Sequence, residues 1–542
     1  MGNYTWNKLS NNPTATSVNN VAEADICRIY VDPDIKSTIV LDELSIPNAT
    51  KLTDTEDKQY AIKNMAGVSF PIICINDYFV QPEEISLLEI DCTSFIPKIK
   101  LDLNCHTEEL TSKNPPKDGD IISIFIRTTN DMITPLRCDF IITDNRMNGG
   151  FSGKFSNQNK MSLIGKLFIP GIDKRHKSFA NAGTSKDMLK IMAKELGLGF
   201  AFNDFDNTND KQLWLSPNIR LGDYINEIIE HSWKDEQSYF KSWIDIYYNL
   251  NFINVNKALL SSDTDLDMTA FSSIRDIQNL YPISTDSENA SAIPKLFINN
   301  EIISNSPFYI IEWEPSNKSS RITRSVGSKI KSQSFIHNQN IYNNGDEPYL
   351  DIDNVQMYDP NKIDKYMILR GRTTYNPDTA GPNDMARENL DYDEMYTNSN
   401  WIGIQYAISD SDIDDLSTTD NWSGNVNKNY YRAVDHNIIN KKELDKLYIK
   451  LSVSGVNLHV MRGEKVPVVI FHTDTMENAV NDNKDNELPI NNMYSGTYFV
   501  DGYKLFYGPN LNRQNQTGYS GFSTEFILKR REWPSPVKLQ NN

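Results

Sequence analysis

Thr497-Tyr-Phe-Val-Asp-Gly-Tyr-Lys-Leu-Phe-Tyr507, a polar run from Gly508 to Gly521, and then Phe522-Ser-Thr-Glu-Phe-Ile-Leu-Lys-Arg530 form the stretch on which the fold turns. Both flanks are rich in aromatic and β-branched residues, and a Gly-containing turn separates them, which predicts an antiparallel strand pair. Just upstream, Leu447-Tyr-Ile-Lys-Leu-Ser-Val453 and Lys465-Val-Pro-Val-Val-Ile-Phe471 flank Gly455 and an Arg462-Gly463 turn. Strands of this length with turn residues between them predict an antiparallel barrel or sandwich closing at residues 444–533.

A second strand series is expected nearer the start. Val68–Ile75, Ile85–Asp91, Lys98–Leu103, Ile121–Ile126, Leu136–Ile142 and Met161–Ile169 are apolar runs. Lys98–Leu103 alternates cleanly, as a half-buried strand should. Pro115-Pro-Lys-Asp-Gly119 is a turn, because Pro presets φ and Gly accepts positive φ. Further strands are expected at Cys27–Val31 and Ser37–Leu41.

Between the two series the period changes. Thr184-Ser-Lys-Asp187 is an N-terminal capping pattern with Asp in place of Glu or Gln, and Met188, Leu189, Ile191, Met192 and Leu196 follow at near-helical spacing. Gly197 suits the helix C-terminus. A second helix is expected near Gly222-Asp223, with Tyr224, Ile225, Ile228 and Ile229 on one face. Tyr239–Tyr247 and Leu250–Val255 then read as a hairpin, giving a small helix-helix-hairpin module. Strand character resumes at Phe308–Trp313 and Ser328–Phe335, whereas 338–440 is rich in Asn, Asp, Tyr and Pro, with scattered runs such as Tyr366–Leu369 and Trp401–Tyr406. An excursion of that length is expected to be functional or to carry structure of its own.

The 542 residues predict three or four domains at ~150 residues each. A formal net charge of −18 argues against a basic groove gripping nucleic-acid phosphates. The basic runs Lys174-Arg-His-Lys177 and Lys529-Arg-Arg531 read as solvated loop or strand ends. No stretch approaches the ~20 apolar residues of a membrane span, and residues 1–6 lack the basic and apolar regions of a secretory signal. The cysteines are Cys27, Cys74, Cys92, Cys105 and Cys138. Their odd number and the absence of a Cys-x-x-Cys pair argue against a zinc site or a disulfide framework. Cys74 and Cys92 read as core residues, in keeping with folding in a reducing cytoplasm.

Candidate chemistry is sparse. His106, His176, His231, His337, His436, His459 and His472 are scattered, none at metal-ligand spacing. His231 is expected at the end of the second helix, where a partial positive charge suits the dipole. Asp263-x-Asp265-x-Asp267 and Asp410-x-Asp412-x-Asp414 resemble calcium loops but lack the Gly and Glu that complete one. There is neither a Gly-x-Ser-x-Gly elbow nor a Walker A run. No cofactor, metal or catalytic residue is expected.

Several of these blocks together resemble the central baseplate hub of contractile phage tails: the T-even hub, the late-control D proteins and the N-terminal hub part of VgrG. Thr184–Phe200 is similar to the helix opening that family's middle module, and Trp243–Val255 resembles its hairpin. Met461–Phe471, Tyr498–Tyr503 and Thr524–Arg530 resemble its final strands. The resemblance runs through residues 67–175, 184–257 and 444–533, about half the chain, and rests on the order of the blocks.

The fold class implied is α+β, mainly β: two antiparallel tube-type β-barrels, the helix-helix-hairpin module and a long loop-rich insertion. The expected division is an N-terminal arm with first strands (1–66), a first barrel (67–175), the α+β module (176–257), a linker with the first strands of a discontinuous second barrel (258–337), the insertion (338–443), the second barrel (444–533) and a tail (534–542). The resemblance implies a non-enzymatic virion protein of the tail baseplate, assembled in the host cytoplasm. Three copies would form a ring that adapts a threefold spike to a sixfold tail tube. The partners implied are a second and third copy, a spike protein, a tube or tube-initiator protein and baseplate wedge proteins. DNA would pass through an acidic channel without specific binding, and no membrane is involved. Ile121, Ile122, Ile124, Phe125, Val466, Val468, Ile470 and Phe471 are the candidates for tube or ring contacts, with core filling as the ordinary alternative. Two competing readings are a tail-associated carbohydrate-binding protein or depolymerase, whose sugars would stack on aromatics around Tyr392–Tyr396 and Trp401–Tyr406, and another tail-tip or wedge subunit.

Overall fold

The structure is a computed structural model that describes residues 29–41, 71–105, 109–126, 136–149, 159–175, 179–216, 218–235, 237–260, 296–299, 308–317, 447–457, 460–471, 490–491, 494–508 and 521–530. It also describes isolated strands at 4–6, 16–17, 44–46, 331–338, 350–357, 397–398 and 405–407, and single positions between 427 and 445.

Alternation builds the first strand set. Tyr30–Val31 forms β1; β2 (Ile72–Ile75) and β3 (Tyr78–Phe79) make a tight hairpin, and β4 (Ile85–Asp91), β5 (Lys98–Cys105), β6 (Ile121–Ile126), β7 (Leu136–Gly149) and β8 (Asn159–Leu167) follow. In β5 every second side chain, Ile99, Leu101, Leu103 and Cys105, is buried while Lys98 and Lys100 face out. Burying each such aliphatic side chain stabilises the fold by ~1.5–3 kcal/mol. Asn76 and Asp77 take positive φ in the β2–β3 turn, a conformation those short polar side chains tolerate.

The middle of the chain brings helices. Strand β9 (Phe179–Gly183) leads into α1 (Ser185–Glu195), then come β10 (Gly199–Phe202), β11 (Gln212–Ser216), α2 (Leu221–Glu230), the hairpin β12 (Phe240–Ile244) and β13 (Asn249–Asn254), and the short α3 (Val255–Leu260). Helix α1 starts where expected: the Thr184 hydroxyl accepts from Asp187 N–H at 3.2 Å, and the Asp187 carboxylate accepts from Thr184 N–H at 3.2 Å. Gly197 ends it at φ +69, and a Cβ there would lie 2.9 Å from Thr38 Oγ1. Replacing Thr184 with Ala is expected to cost about 1 kcal/mol, read as a lower thermal midpoint with an unchanged far-ultraviolet spectrum. Tyr224, Ile225 and Ile228 of α2 are buried, with Ile229 half-buried beside them.

The last set comprises β14 (Phe297–Ile298), β15 (Ile310–Asn317), β16 (Leu447–Ser454), β17 (Lys465–Val469), β18 (Gly496–Tyr507) and β19 (Phe522–Arg530). Apart from β1, both sets belong to one curled, almost wholly antiparallel 13-stranded sheet in the order β15-β16-β19-β18-β4-β5-β8-β7-β6-β2-β3, with β17 pairing β18 and β14. Pro315 sits in β15, a terminal strand of that order, where its missing N–H costs no ladder bond. The protein is therefore mostly β with few helices.

Five departures from the sequence expectations have physical reasons. Ser37–Leu41 is not a strand: Thr38 N–H and the Ser37 hydroxyl both bond the Gly197 carbonyl, at 2.9 and 3.0 Å, and Val40 is 81% exposed. The hairpin does not stand alone, because β13 also pairs in parallel with β10, and β10 with β1, making a five-stranded mixed sheet. Strands β9, β10 and β11 were not expected, being short and, in β10, buried on both faces, which erases alternation. Strand β7 runs past the expected end at Ile142 to Gly149, because Asp144–Gly149 pair with Asn159–Ile164 of β8. Of the strands expected to open the second barrel, Ile310–Asn317 joins the 13-stranded sheet, but Lys331–Asn338 pairs with Leu350–Met357, Thr397–Asn398 and Gln405–Ala407 in a separate four-stranded sheet, so the insertion carries strands of its own.

Candidate functional site

Strand β18 has two neighbours along one edge. Its Gly496–Phe499 end pairs with β17, and its Lys504–Tyr507 end pairs with β4, while β19 runs along the other edge. The register against β19 slips between Val500 and Gly502, leaving Asp501 as the extra residue of a bulge. Gly502 is needed there: a Cβ would sit 2.9 Å from the Thr93 Cα.

The bulge delivers Asp501 into a closed ion cluster. Its carboxylate bonds the Lys241 ammonium of β12 and the Lys529 ammonium of β19, and Lys529 also bonds Asp445. Burial alone would raise the Asp501 carboxyl, but Lys241, Lys529 and Arg462 hold it well below the usual carboxylate range. Burial pulls the Lys241 ammonium down to about 8 against the pull of Asp501. The run Lys529-Arg530 is thus not a solvated strand end: Lys529 is buried and paired, and Arg530 donates to Ser495 O at 3.0 Å and lies over the Tyr498 ring.

A few ångströms away Arg462 donates to Cys92 O at 3.1 Å and Ser94 O at 2.7 Å, with its guanidinium 4.6 Å from the Trp243 ring centre. Gly463, at φ +96, packs against the same indole, where a Cβ would lie 2.8 Å from Cη2. Ile244 N–H closes the joint on Phe95 O at 2.8 Å. Asp245, Asn251, Tyr503, Cys92 and Arg462 line a cavity of about 10 Å³, room for about one water, and Arg462 Nε is buried with no partner among the described residues. Residues from the first strand set (92–95), the hairpin (241–245) and the last set (462–464, 501–503, 529) therefore meet in one buried joint. Its charges are paired and largely buried; chemically it fastens elements together.

A second cluster secures α1. Lys186 Nζ donates to the carbonyls of Asp204, Phe205 and Asp206 at 2.6, 3.1 and 3.1 Å, and burial draws its pKa down to about 8. Asp204 accepts from Lys234 at 2.8 Å and Lys257 at 2.9 Å; burial opposes its ionisation, but these bonds and Asn254 hold it at about 2.

The structure places the contact candidates inside. Ile122, Ile124, Phe125, Val466, Val468, Ile470 and Phe471 are buried in the chain's own core, and Ile121 is half-buried. Strand β6 has strands on each side, while β17 has β18 on one side and on the other only the two-residue β14, against Val468 and Val469. His231 corrects another expectation. It follows the last residue of α2 and its Nδ1 donates to Glu227 O at 2.9 Å, but burial drives its pKa down from 6.5 to about 4, so it is neutral at pH 7 and lends the dipole no charge. The unfolded chain takes up this proton near pH 6.5 and the folded chain only near 4, so stability is full above 6.5 and falls by up to ~3 kcal/mol as pH drops through that window. Melting from pH 7 to 4 should show a smaller loss in His231→Gln than in the parent.

Cys74, Cys92, Cys105 and Cys138 are buried and free, and burial pushes the Cys92 thiol up to about 12. Among the described residues no cluster of His, Cys, Asp and Glu could hold a metal. The two Asp-x-Asp runs, Cys27, Tyr366–Leu369, Tyr392–Tyr396 and Trp401–Ile404 lie outside the described residues. Lys241, Asp501 and Arg462 were not singled out in the sequence; the signal was a lone carboxylate in the apolar run 498–507, which must find a cation when buried.

No family model and no curated protein matches the chain. Among solved structures it is similar to the tail protein from Neisseria meningitidis MC58, at 10% identity and a TM-score of 0.40 over 86% of this chain and 96% of that one. It is also similar to the 43 kDa tail protein of prophage MuSo2 from Shewanella oneidensis, at 9% identity and a TM-score of 0.39 over 85% and 96%. A third similar structure is an E. coli component of the type VI secretion system, at 6% identity and a TM-score of 0.36 over 86% and 79%.

Proposed function

We propose that this chain is a structural, non-enzymatic hub of a contractile phage tail baseplate, three copies of which close a ring. In this reading residues 67–175 and 444–533, the latter completed by strands from 258–337, act as two similar barrels per copy. Six barrel positions then meet a sixfold tail tube on one side and a threefold spike on the other, around a channel that DNA traverses without specific binding. The module at 176–257 braces the barrels, and the insertion at 338–443 faces neighbouring copies or wedge proteins, with 1–66 as an arm and 534–542 as a tail.

The observation that carries this reading is the pairing of β4 with β18. It supports two strand sets, one from each end of the fold, acting as one rigid unit rather than as beads on a linker. Of the eight contact candidates, Ile121 retains side-chain surface to offer a neighbour; the other seven support the strands from behind. Head-to-tail closure would also cover the outer strands β15 and β3, which otherwise invite aggregation. Native mass spectrometry is expected to give the mass of three chains, and electron microscopy of the particle three copies at the tail end. A monomer, or six copies in the ring, would sink the proposal.

A further inference from the structure

Strand β12 is the terminal strand of the five-stranded sheet, and its outer edge is only partly covered. Pairing with β13 alternates along it: Asp245 N–H bonds Asn249 O and Val255 N–H bonds Tyr239 O, so odd-numbered residues face β13. The N–H and C=O groups of Phe240, Ser242 and Ile244 therefore point outward. Ile244 N–H is taken by Phe95 O at 2.8 Å. No strand pairs with the outer side of Phe240 and Ser242 among the described residues.

Beside that open length lies a cleft of about 390 Å³, lined by Phe95, Ile229, Glu230, Phe240, Ser242 and Asn437 among others. Two buried polar atoms there lack partners among the described residues: Ser242 Oγ and Asn437 Oδ1. Asn437 is 8% exposed, and its amide is held fast, Nδ2 donating to Glu230 O at 2.9 Å and Ser232 O at 3.0 Å at the end of α2. That fixes Oδ1 as an acceptor waiting for a donor. A buried unpaired acceptor costs ~1–3 kcal/mol, which a bound donor would recover. At the rim Lys441 is exposed, with no ion-pair partner among the described residues.

We propose that this cleft takes an extended peptide segment of another polypeptide, added as a further strand to β12. A peptide backbone carries the alternating N–H and C=O groups that the outward edge of Phe240 and Ser242 requires, and an N–H for Asn437 Oδ1. An apolar side chain of the segment lies on Ile229 and Phe95, and an acidic one reaches Lys441. The inference uses only this edge and cleft, and it stands or falls apart from the hub reading.

The test uses the full chain and acetyl-Thr-Val-Asp-Val-Thr-amide carrying a fluorophore. Saturable anisotropy is expected, at least tenfold weaker for the same peptide N-methylated at its central amides and weaker when its Asp is replaced by Lys. Ser242→Pro removes the outward N–H together with the side-chain hydroxyl, takes no N–H from the ladder to β13, and is expected to weaken binding at least tenfold with unchanged melting. Should that variant fail to fold, the N-methylated peptide against the parent protein decides alone. Binding that ignores N-methylation, no saturable binding, or a Ser242 amide already protected from hydrogen exchange in the free protein overturns the proposal. So does self-association of the parent that Ser242→Pro abolishes, which would assign the edge to a second copy.

Discussion

Asp501→Asn is expected to be among the most damaging single changes in this protein, lowering stability by ~3–5 kcal/mol. The substitution keeps the shape of the side chain and removes its charge. Lys241 and Lys529 then remain in a largely buried site, and Lys241 loses its carboxylate partner, since Lys529 alone keeps Asp445. The cost arises from a stranded cation more than from a lost attraction. The double variant Asp501→Leu with Lys241→Met is accordingly expected to recover a large share of the loss, because the pair leaves together. Urea unfolding of the parent, single and double variants measures both quantities. A single variant within 1 kcal/mol of the parent would mean that water reaches the cluster.

Trp243→Ala is expected to cost a similar ~3–5 kcal/mol. Trp243 is 2% exposed and is among the largest fully buried side chains, so truncation leaves a cavity the backbone cannot close. It also removes the ring face under Arg462, a desolvated cation–π contact contributing ~2 kcal/mol. Gly463 gives an internal control. In the parent, Gly463→Ala meets two obstacles, positive φ and the indole 2.8 Å away. In the Trp243→Ala background the second obstacle is gone, so Gly463→Ala should destabilise less there, a non-additivity that a double-mutant cycle reads directly. Strict additivity would show that the indole does not bear on Gly463.

What the residues disclosed before any coordinates was the local part of the fold. Alternation in Lys98–Leu103 and the run Phe522–Arg530 marked strands to within two residues, because each covers one face with core and leaves the other wet. Thr184, Asp187 and Gly197 marked both ends of α1 because capping is a short-range hydrogen-bond requirement. Partnership between distant strands was not legible. The parallel pairing of β10 with β13 and the shared edge of β18 depend on registers that local periodicity does not encode. The joint was illegible for the same reason: Asp501, Lys241 and Arg462 each read as an ordinary residue in its own segment, and only the bulge at Asp501 brings their charges together. All the contact candidates chosen for apolar character except Ile121 are buried in this chain's own core, since the property that makes a strand adhesive also buries it.

Across the β4–β18 seam Lys504 bonds Glu89, a separation of 415 positions. A ribosome adding about 5–20 residues per second reaches Lys504 roughly 20–80 s after releasing Glu89. Through that interval the nascent β4 margin has no lasting partner and is open to mispairing with other chains on the same polysome. A chaperone that holds the nascent β4 margin through that interval should therefore raise the yield of soluble product.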